Sequence, residues 1–127
     1  MSAPVIIVVD DEALLRWAVA ESLMAAGYTV RQAECAADAV RCLDKAKDSP
    51  LVVVLDLKLP DSSDLSLARR IIAERPDAPV ILMTAHGSAQ DKAEAEAAGV
   101  YKFIQKPFDL AEMTAVVREA TAKLGDR

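Results

Sequence analysis

The sequence predicts an α/β domain built on a doubly wound, parallel, five-stranded sheet, and three observations lead there. Short apolar runs rich in Val and Ile recur along the 127 residues, separated by longer segments with helical spacing. Three of those runs are continuously apolar rather than alternating, as a strand covered on both faces requires. Five strand–helix units follow one another in series, which calls for parallel crossovers.

The first run, Val5–Val9, is one of the three continuous strands. The helix after it covers 12–26 and stops at Gly27, a residue type suited to the left-handed position that ends a helix. Residues 29–32 alternate, as an edge strand does, and a helix over 38–47 ends before Asp48-Ser49-Pro50. The second continuous strand is 52–55, followed by a helix over 65–74 that stops before Pro76. The third is 80–83, followed by a helix over Ala89–Ala98 that ends at Gly99. Residues 102–104 alternate and form the other edge. The last helix opens at Asp109, a good N-cap, and carries Leu110, Met113, Val117, Ala120 and Leu124 on one apolar face. There is no internal linker, repeat or low-complexity tract. One domain over 1–127 is expected, with a core from about 5 to 124 and residues 125–127 as the start of a linker.

With 53% hydrophobic residues the chain has the means to bury a core. Fifteen Lys and Arg against twenty Asp and Glu give a net charge of −5. That balance argues against non-specific nucleic-acid contact, which needs clustered cations to displace counterions. Cys35 and Cys42 lack companions at metal-ligand spacing and read as small apolar residues in a reducing compartment. The N-terminus has no basic stretch followed by a long apolar one, and no run approaches a membrane span. A cytoplasmic protein is expected.

In a sheet of this kind ligands bind beyond the carboxyl ends of the central strands. The sequence places Asp10-Asp11-Glu12 after the first strand, Asp56 after the third, Thr84 after the fourth and Lys106-Pro107 after the fifth. Acids gathered from neighbouring strand ends repel, by about 4 kcal/mol for each pair at roughly 4 Å in an effective dielectric near 20. Capping of the first helix accounts for one of Asp10 and Asp11 but poorly for both. A hard divalent cation such as Mg²⁺ relieves the repulsion and keeps positions open for phosphate oxygens. Asp56, presented on a rigid strand end, then suits a nucleophile toward phosphorus. Lys106 suits neutralisation of the transferring oxygens, and the Thr84 hydroxyl suits donation to one of them.

The segments VVDDE, VVVLDLKLP, ILMTA and FIQKPFD together resemble the receiver domain of bacterial response regulators, and the likeness runs from about Val5 to Leu124. The resemblance implies a flavodoxin-like sheet of order 2-1-3-4-5 with five helices. It implies phosphotransfer to Asp56 from a sensor histidine kinase or phosphotransfer protein, with Mg²⁺ or Mn²⁺. Asp11, Asp56 and the Lys58 backbone carbonyl would hold the metal, with Asp10 acting through water. Thr84 and Phe103 would form a switch pair, with Tyr101 on the same output face of fourth helix, fifth strand and fifth helix. Such a domain is not an enzyme, catalysing only its own phosphotransfer and slow autodephosphorylation. LLRWAVAESL, MTAHGS and GVYKFIQKPFD look most like receivers of the nitrogen-regulation type, the sigma-54 activators. Those are joined to ATPase and DNA-binding modules outside this segment, control transcription and form phosphorylation-dependent dimers.

One position departs from the family pattern. Asp64 stands where receivers usually have glycine, so the loop either takes left-handed backbone there or uses Asp64 to cap the next helix. By the same resemblance Lys58 and His86 flank the route of the hydrolytic water and would tune the lifetime of an aspartyl phosphate. The fourth helix, AQDKAEAEAA, offers only alanines as apolar residues and reads as a loosely held, mobile element or a plain solvated helix. A phosphatase of the Asp-x-Asp kind would need its second acid two residues after the first, whereas Asp10 and Asp11 are adjacent. A nucleotide- or flavin-binding module would need a phosphate-cradling glycine loop after the first strand, and there is none.

Overall fold

In the computed structural model, which describes residues 3–85 and 87–125, ten elements alternate along the chain. They are β1 (Val5–Val9), α1 (Ala13–Ala25), β2 (Thr29–Ala33), α2 (Ala36–Lys45), β3 (Leu51–Asp56), α3 (Ser66–Glu74), β4 (Val80–Thr84), α4 (Ala89–Ala98), β5 (Lys102–Gln105) and α5 (Leu110–Gly125). The sheet order is β2-β1-β3-β4-β5, with every pairing parallel. Expectations concerning Met1, Ser2, His86, Asp126 and Arg127 fall outside the described residues.

Burial follows the apolar pattern that the sequence carries. Every residue of β1, β3 and β4 is buried, whereas β2 and β5, at the sheet edges, are mostly exposed or half-buried, with Ala33 and Ile104 buried. Odd-numbered residues of β1 and β3, such as Ile7, Val9, Val53 and Leu55, pack with Leu43, Leu67, Ile71 and Ala95 of α2, α3 and α4. Even-numbered ones, such as Ile6, Val8, Val52 and Val54, pack with Val19, Leu23, Met113 and Val117 of α1 and α5. Each such side chain stabilises the fold by about 1.5–3 kcal/mol relative to exposure. The three central strands are therefore the rigid part of the molecule.

Two boundaries differ from expectation for physical reasons. The apolar runs of β3 and β4 each continue one residue further, because Asp56 and Thr84 keep strand geometry while presenting polar groups. Helix α2 begins at Ala36 rather than 38 and ends at Lys45 rather than 47. Its first N–H groups are satisfied from outside the segment: Asp61 accepts from Ala36 N at 2.7 Å and from Ala37 N at 3.1 Å. Asp64 takes neither left-handed backbone nor the cap position, which Leu65 occupies without a side-chain bond; it holds the backbone two residues on. Its Oδ1 accepts from Ser66 N at 2.9 Å, and among the described residues no non-glycine has positive φ.

The two N–H bonds from α2 hold the Asp61 carboxyl below the ordinary value of 3.8. A group whose folded pKa is depressed contributes stability above its unfolded value and loses it as the pH falls through the folded one. Asp61→Ala is expected to lower the melting temperature by a few degrees at pH 7. In thermal melts the difference from the unsubstituted protein should shrink as the pH drops below 3.8.

Candidate functional site

Parallel pairing sets the site. Val9 lies opposite Leu55, so Asp10 and Asp56 leave neighbouring strands side by side. Asp10 is fully buried, Asp56 is 6% exposed, and Asp11 lies at the surface. Carboxylate oxygens of Asp10, Asp11 and Asp56 all stand within 4.8 Å of one another. Lys106, leaving β5, reaches back across this group. Its Nζ donates to Asp10 Oδ2 at 2.9 Å, to Glu12 Oε1 at 2.8 Å and to Asp56 Oδ2 at 3.1 Å. An ammonium has three donors, and all three are engaged.

Backbone groups satisfy the other oxygens. Glu12 N donates to Asp10 Oδ1 at 2.9 Å, and Lys58 N donates to Asp56 Oδ1 at 3.2 Å. Both are short turns in which an aspartate holds the backbone two residues on. Capping of α1 is not what the two aspartates do: the residue at the cap is Glu12, and it makes no side-chain cap bond. The pocket instead carries more negative than positive charge, which is the donor set that a hard divalent cation takes. The residues present fit such an ion.

Burial pushes the Asp10 carboxyl above the ordinary 3.8. The charge on Asp56 pushes the same way, while the Glu12 N–H and Lys106 pull against them. Burial alone would lower the Lys106 pKa, but its contacts with Glu12, Asp10 and Asp56 prevail and hold it above the usual 10.5. The ammonium is thus charged throughout the physiological range.

The other expected residues are placed as follows. Thr84 is buried at the end of β4, and its carbonyl accepts from Lys106 N at 2.7 Å, which ties the two strand ends together. The Lys58 side chain is exposed while its backbone adjoins Asp56. Phe103 is half-buried against the α2–α3–α4 cluster. Tyr101 packs instead with the α1–α5 cluster, so the two aromatics are divided between the two cores. The Tyr101 hydroxyl donates to Glu119 Oε1 at 2.8 Å, and Lys123 Nζ stands 5.4 Å from its ring centre. Burial and the Glu119 carboxylate push the phenol up to about 12.

Arg16 was not legible as part of the site. Its Nη1 donates to the Asp10 carbonyl at 2.8 Å and its Nε to Gln32 Oε1 at 3.1 Å, which clamps the turn after β1. The available signal was position: a long side chain one turn into α1 leans back toward the strand end before it.

A pocket this short of positive charge, at the carboxyl ends of a parallel α/β sheet, suits a cation rather than direct cradling of phosphate. The chain belongs to the response regulator receiver domain family, whose model matches residues 6–118. It is 37% identical over 123 residues to the DNA-binding transcriptional regulator NtrC of Rhizobium meliloti, covering 97% of this chain and 25% of that protein. It is 35% identical over 122 residues to the C4-dicarboxylate transport transcriptional regulatory protein DctD of the same organism, covering 96% of this chain and 26% of that one. The chain spans about a quarter of the length of these relatives. Among solved structures, the receiver domain of NtrX from Brucella abortus superposes with a TM-score of 0.80 at 33% identity, covering 91% of this chain and 96% of that one. The likeness to receivers of nitrogen-regulation type, expected from LLRWAVAESL and MTAHGS, is therefore borne out.

Replacing Lys106 by Met would leave two buried carboxylates facing each other without a cation. In chelator, urea unfolding should show a loss on the order of 3 kcal/mol near neutral pH, the scale for breaking a buried ion pair. Folded Asp10 holds its proton at pH values where the unfolded chain has released it. The penalty should therefore diminish as the pH is lowered through that raised range toward 3.8.

Proposed function

We propose that Asp56 is the phosphoacceptor of this receiver domain and takes a phosphoryl group from the phosphohistidine of a sensor histidine kinase or phosphotransfer protein. An Asp56 oxygen forms the new bond to phosphorus, and the imidazole nitrogen of the donor leaves with the electron pair of the broken P–N bond. The observation that carries this reading is the single ammonium of Lys106 shared among Asp10, Glu12 and Asp56 in a pocket with a third aspartate within 4.8 Å. Asp11, Asp56 and the Lys58 carbonyl would hold Mg²⁺ or Mn²⁺, with Asp10 acting through water. When bound, the ion neutralises charge on the transferring oxygens. Lys106 has no spare donor, so it must release one partner to meet a phosphoryl oxygen. Glu12, whose side chain is 61% exposed, is the one that water can take over. Thr84, the residue after the Met83 that pairs with Asp56 across β3 and β4, supplies a hydroxyl to the same group.

Thr84 and Phe103 then act as the switch pair, with Tyr101 marking the α5 side of the output face. Residues 1–127 work as one receiver unit of cytoplasmic location. It makes no nucleic-acid contact of its own and controls a transcriptional output through ATPase and DNA-binding modules beyond this segment, with dimerisation on phosphorylation. No helix among the described residues is long and apolar enough to cross a membrane. Autodephosphorylation is slow, with Lys58 and His86 tuning its rate.

Incubation with Mg²⁺ and acetyl phosphate should add the mass of one phosphoryl group, labile to hydroxylamine, and Asp56→Asn should abolish it. A gain that survives the substitution sinks the assignment. Mg²⁺ should raise the melting temperature. Asp11→Asn should raise that of the metal-free protein by removing repulsion and blunt the response to Mg²⁺. An unaltered Mg²⁺ response in that variant would remove Asp11 from the metal site.

A further inference from the structure

Gly87 lies three residues beyond Thr84, in the connection between β4 and α4. Its backbone does not call for glycine, since the described glycines with positive φ are Gly27 and Gly99. Its surroundings do. A Cβ built on Gly87 would stand 2.7 Å from Phe103 Cε1, 3.0 Å from Phe103 Cζ and 3.3 Å from Thr84 Cγ2. Carbon atoms settle at about 3.5–4.0 Å, so the ring could not stay where it is.

Phe103 also borders a cavity of about 240 Å³ whose walls include Lys92, Ala95 and Glu96 of α4 and Lys102 of β5. That wall is lightly held: Ala95 is the one buried residue of α4. Phe103 thus has two places available, one over Gly87 beside Thr84 and one in the space beneath α4. We propose that the missing side chain at residue 87 is what seats Phe103 beside Thr84, which makes Gly87 a positioning residue for the switch. The proposal rests on the reading of Thr84 and Phe103 as the switch pair and adds the element that sets its balance. Any group at 87 larger than hydrogen drives the ring toward α4, whichever state the acceptor site is in. The same empty position leaves room beside the Thr84 methyl, so Thr84 and the ring adjust together.

The chain has two phenylalanines, Phe103 and Phe108, so labelling with 4-fluorophenylalanine gives two fluorine resonances, assigned with Phe103→Leu. Gly87→Ala should move the Phe103 resonance and enlarge its shift between H₂O and D₂O, with Phe108 little affected. It should also lower the melting temperature in the presence of Phe103 and do so much less in the Phe103→Leu background, where no ring meets the new methyl. If Gly87→Ala fails to fold, restoration by Phe103→Leu supports the proposal and absence of restoration overturns it. An unchanged Phe103 resonance, or an equal thermal cost in both backgrounds, also overturns it. These readings use the protein without metal or phosphoryl donor. Failure of Asp56 to gain a phosphoryl group would defeat the acceptor reading and leave the seat of Phe103 intact.

Discussion

The ammonium of Lys106 is the constraint on which the rest of the site depends. Strand pairing of β1 with β3 forces Asp10 beside Asp56, and burial removes the water that would otherwise screen them. At an effective dielectric near 20, two carboxylates roughly 4 Å apart repel by about 4 kcal/mol, a sizeable fraction of the stability of a small domain. One cation touching both offsets that repulsion, but it cannot neutralise both, still less Asp11 and Glu12 as well. The imbalance has a direction. It leaves the fold stable enough to exist and leaves the pocket short of positive charge, so a divalent cation gains both from attraction and from relief of repulsion. Burial raises the pKa of Asp10 against the pull of Lys106, whereas the carboxylates raise that of Lys106 against its burial.

The platform that holds this charge in place is apolar and stiff. Every residue of β1, β3 and β4 is buried, so the strand ends cannot part to relieve the repulsion without exposing core. Helix α4 stands at the other extreme, with its capping box at Ser88 intact but a single alanine buried. Local stability tracks buried apolar contact, so the same domain carries an acidic pocket on fully buried strands and a helix held by little buried surface.

Much of this was legible in the sequence because it was written in hydrophobicity. Continuous apolar runs marked the central strands, and the residues just past them, Asp10, Asp56 and Thr84, fell on one rim as a matter of topology. The strand ends were misplaced by a residue because Asp56 and Thr84 are polar while their backbone still pairs. What the sequence could not display were partners distant along the chain. The start of α2 depends on Asp61, 25 residues from Ala36, and the turn after β1 depends on Arg16 reaching back to Asp10 and across to Gln32. Gly87 carries no signal of its own in the sequence, since what a side chain there would meet is the ring of Phe103 on another strand.

The two flanks of Asp56 are held differently, and that difference gives a displacement at the site a preferred way out. On the β3–α3 side the loop is pinned repeatedly. Lys58 N bonds Asp56, Asp61 ties the loop to α2, and Asp64 holds Ser66 N at the start of α3. Beyond it α3 buries Leu67, Ala68 and Ile71. On the β4–α4 side the connection includes Gly87, whose missing side chain accommodates the Phe103 ring, and the next helix buries Ala95. Moving the first flank breaks carboxylate bonds to backbone and exposes core. Moving the second shifts the Phe103 contacts and a cavity wall and exposes less core, since α4 buries Ala95 alone. On the proposed reading of Thr84 and Phe103 as the switch pair, a displacement at the acidic pocket would pass through Thr84, the Phe103 ring and α4, the side on which less core is buried.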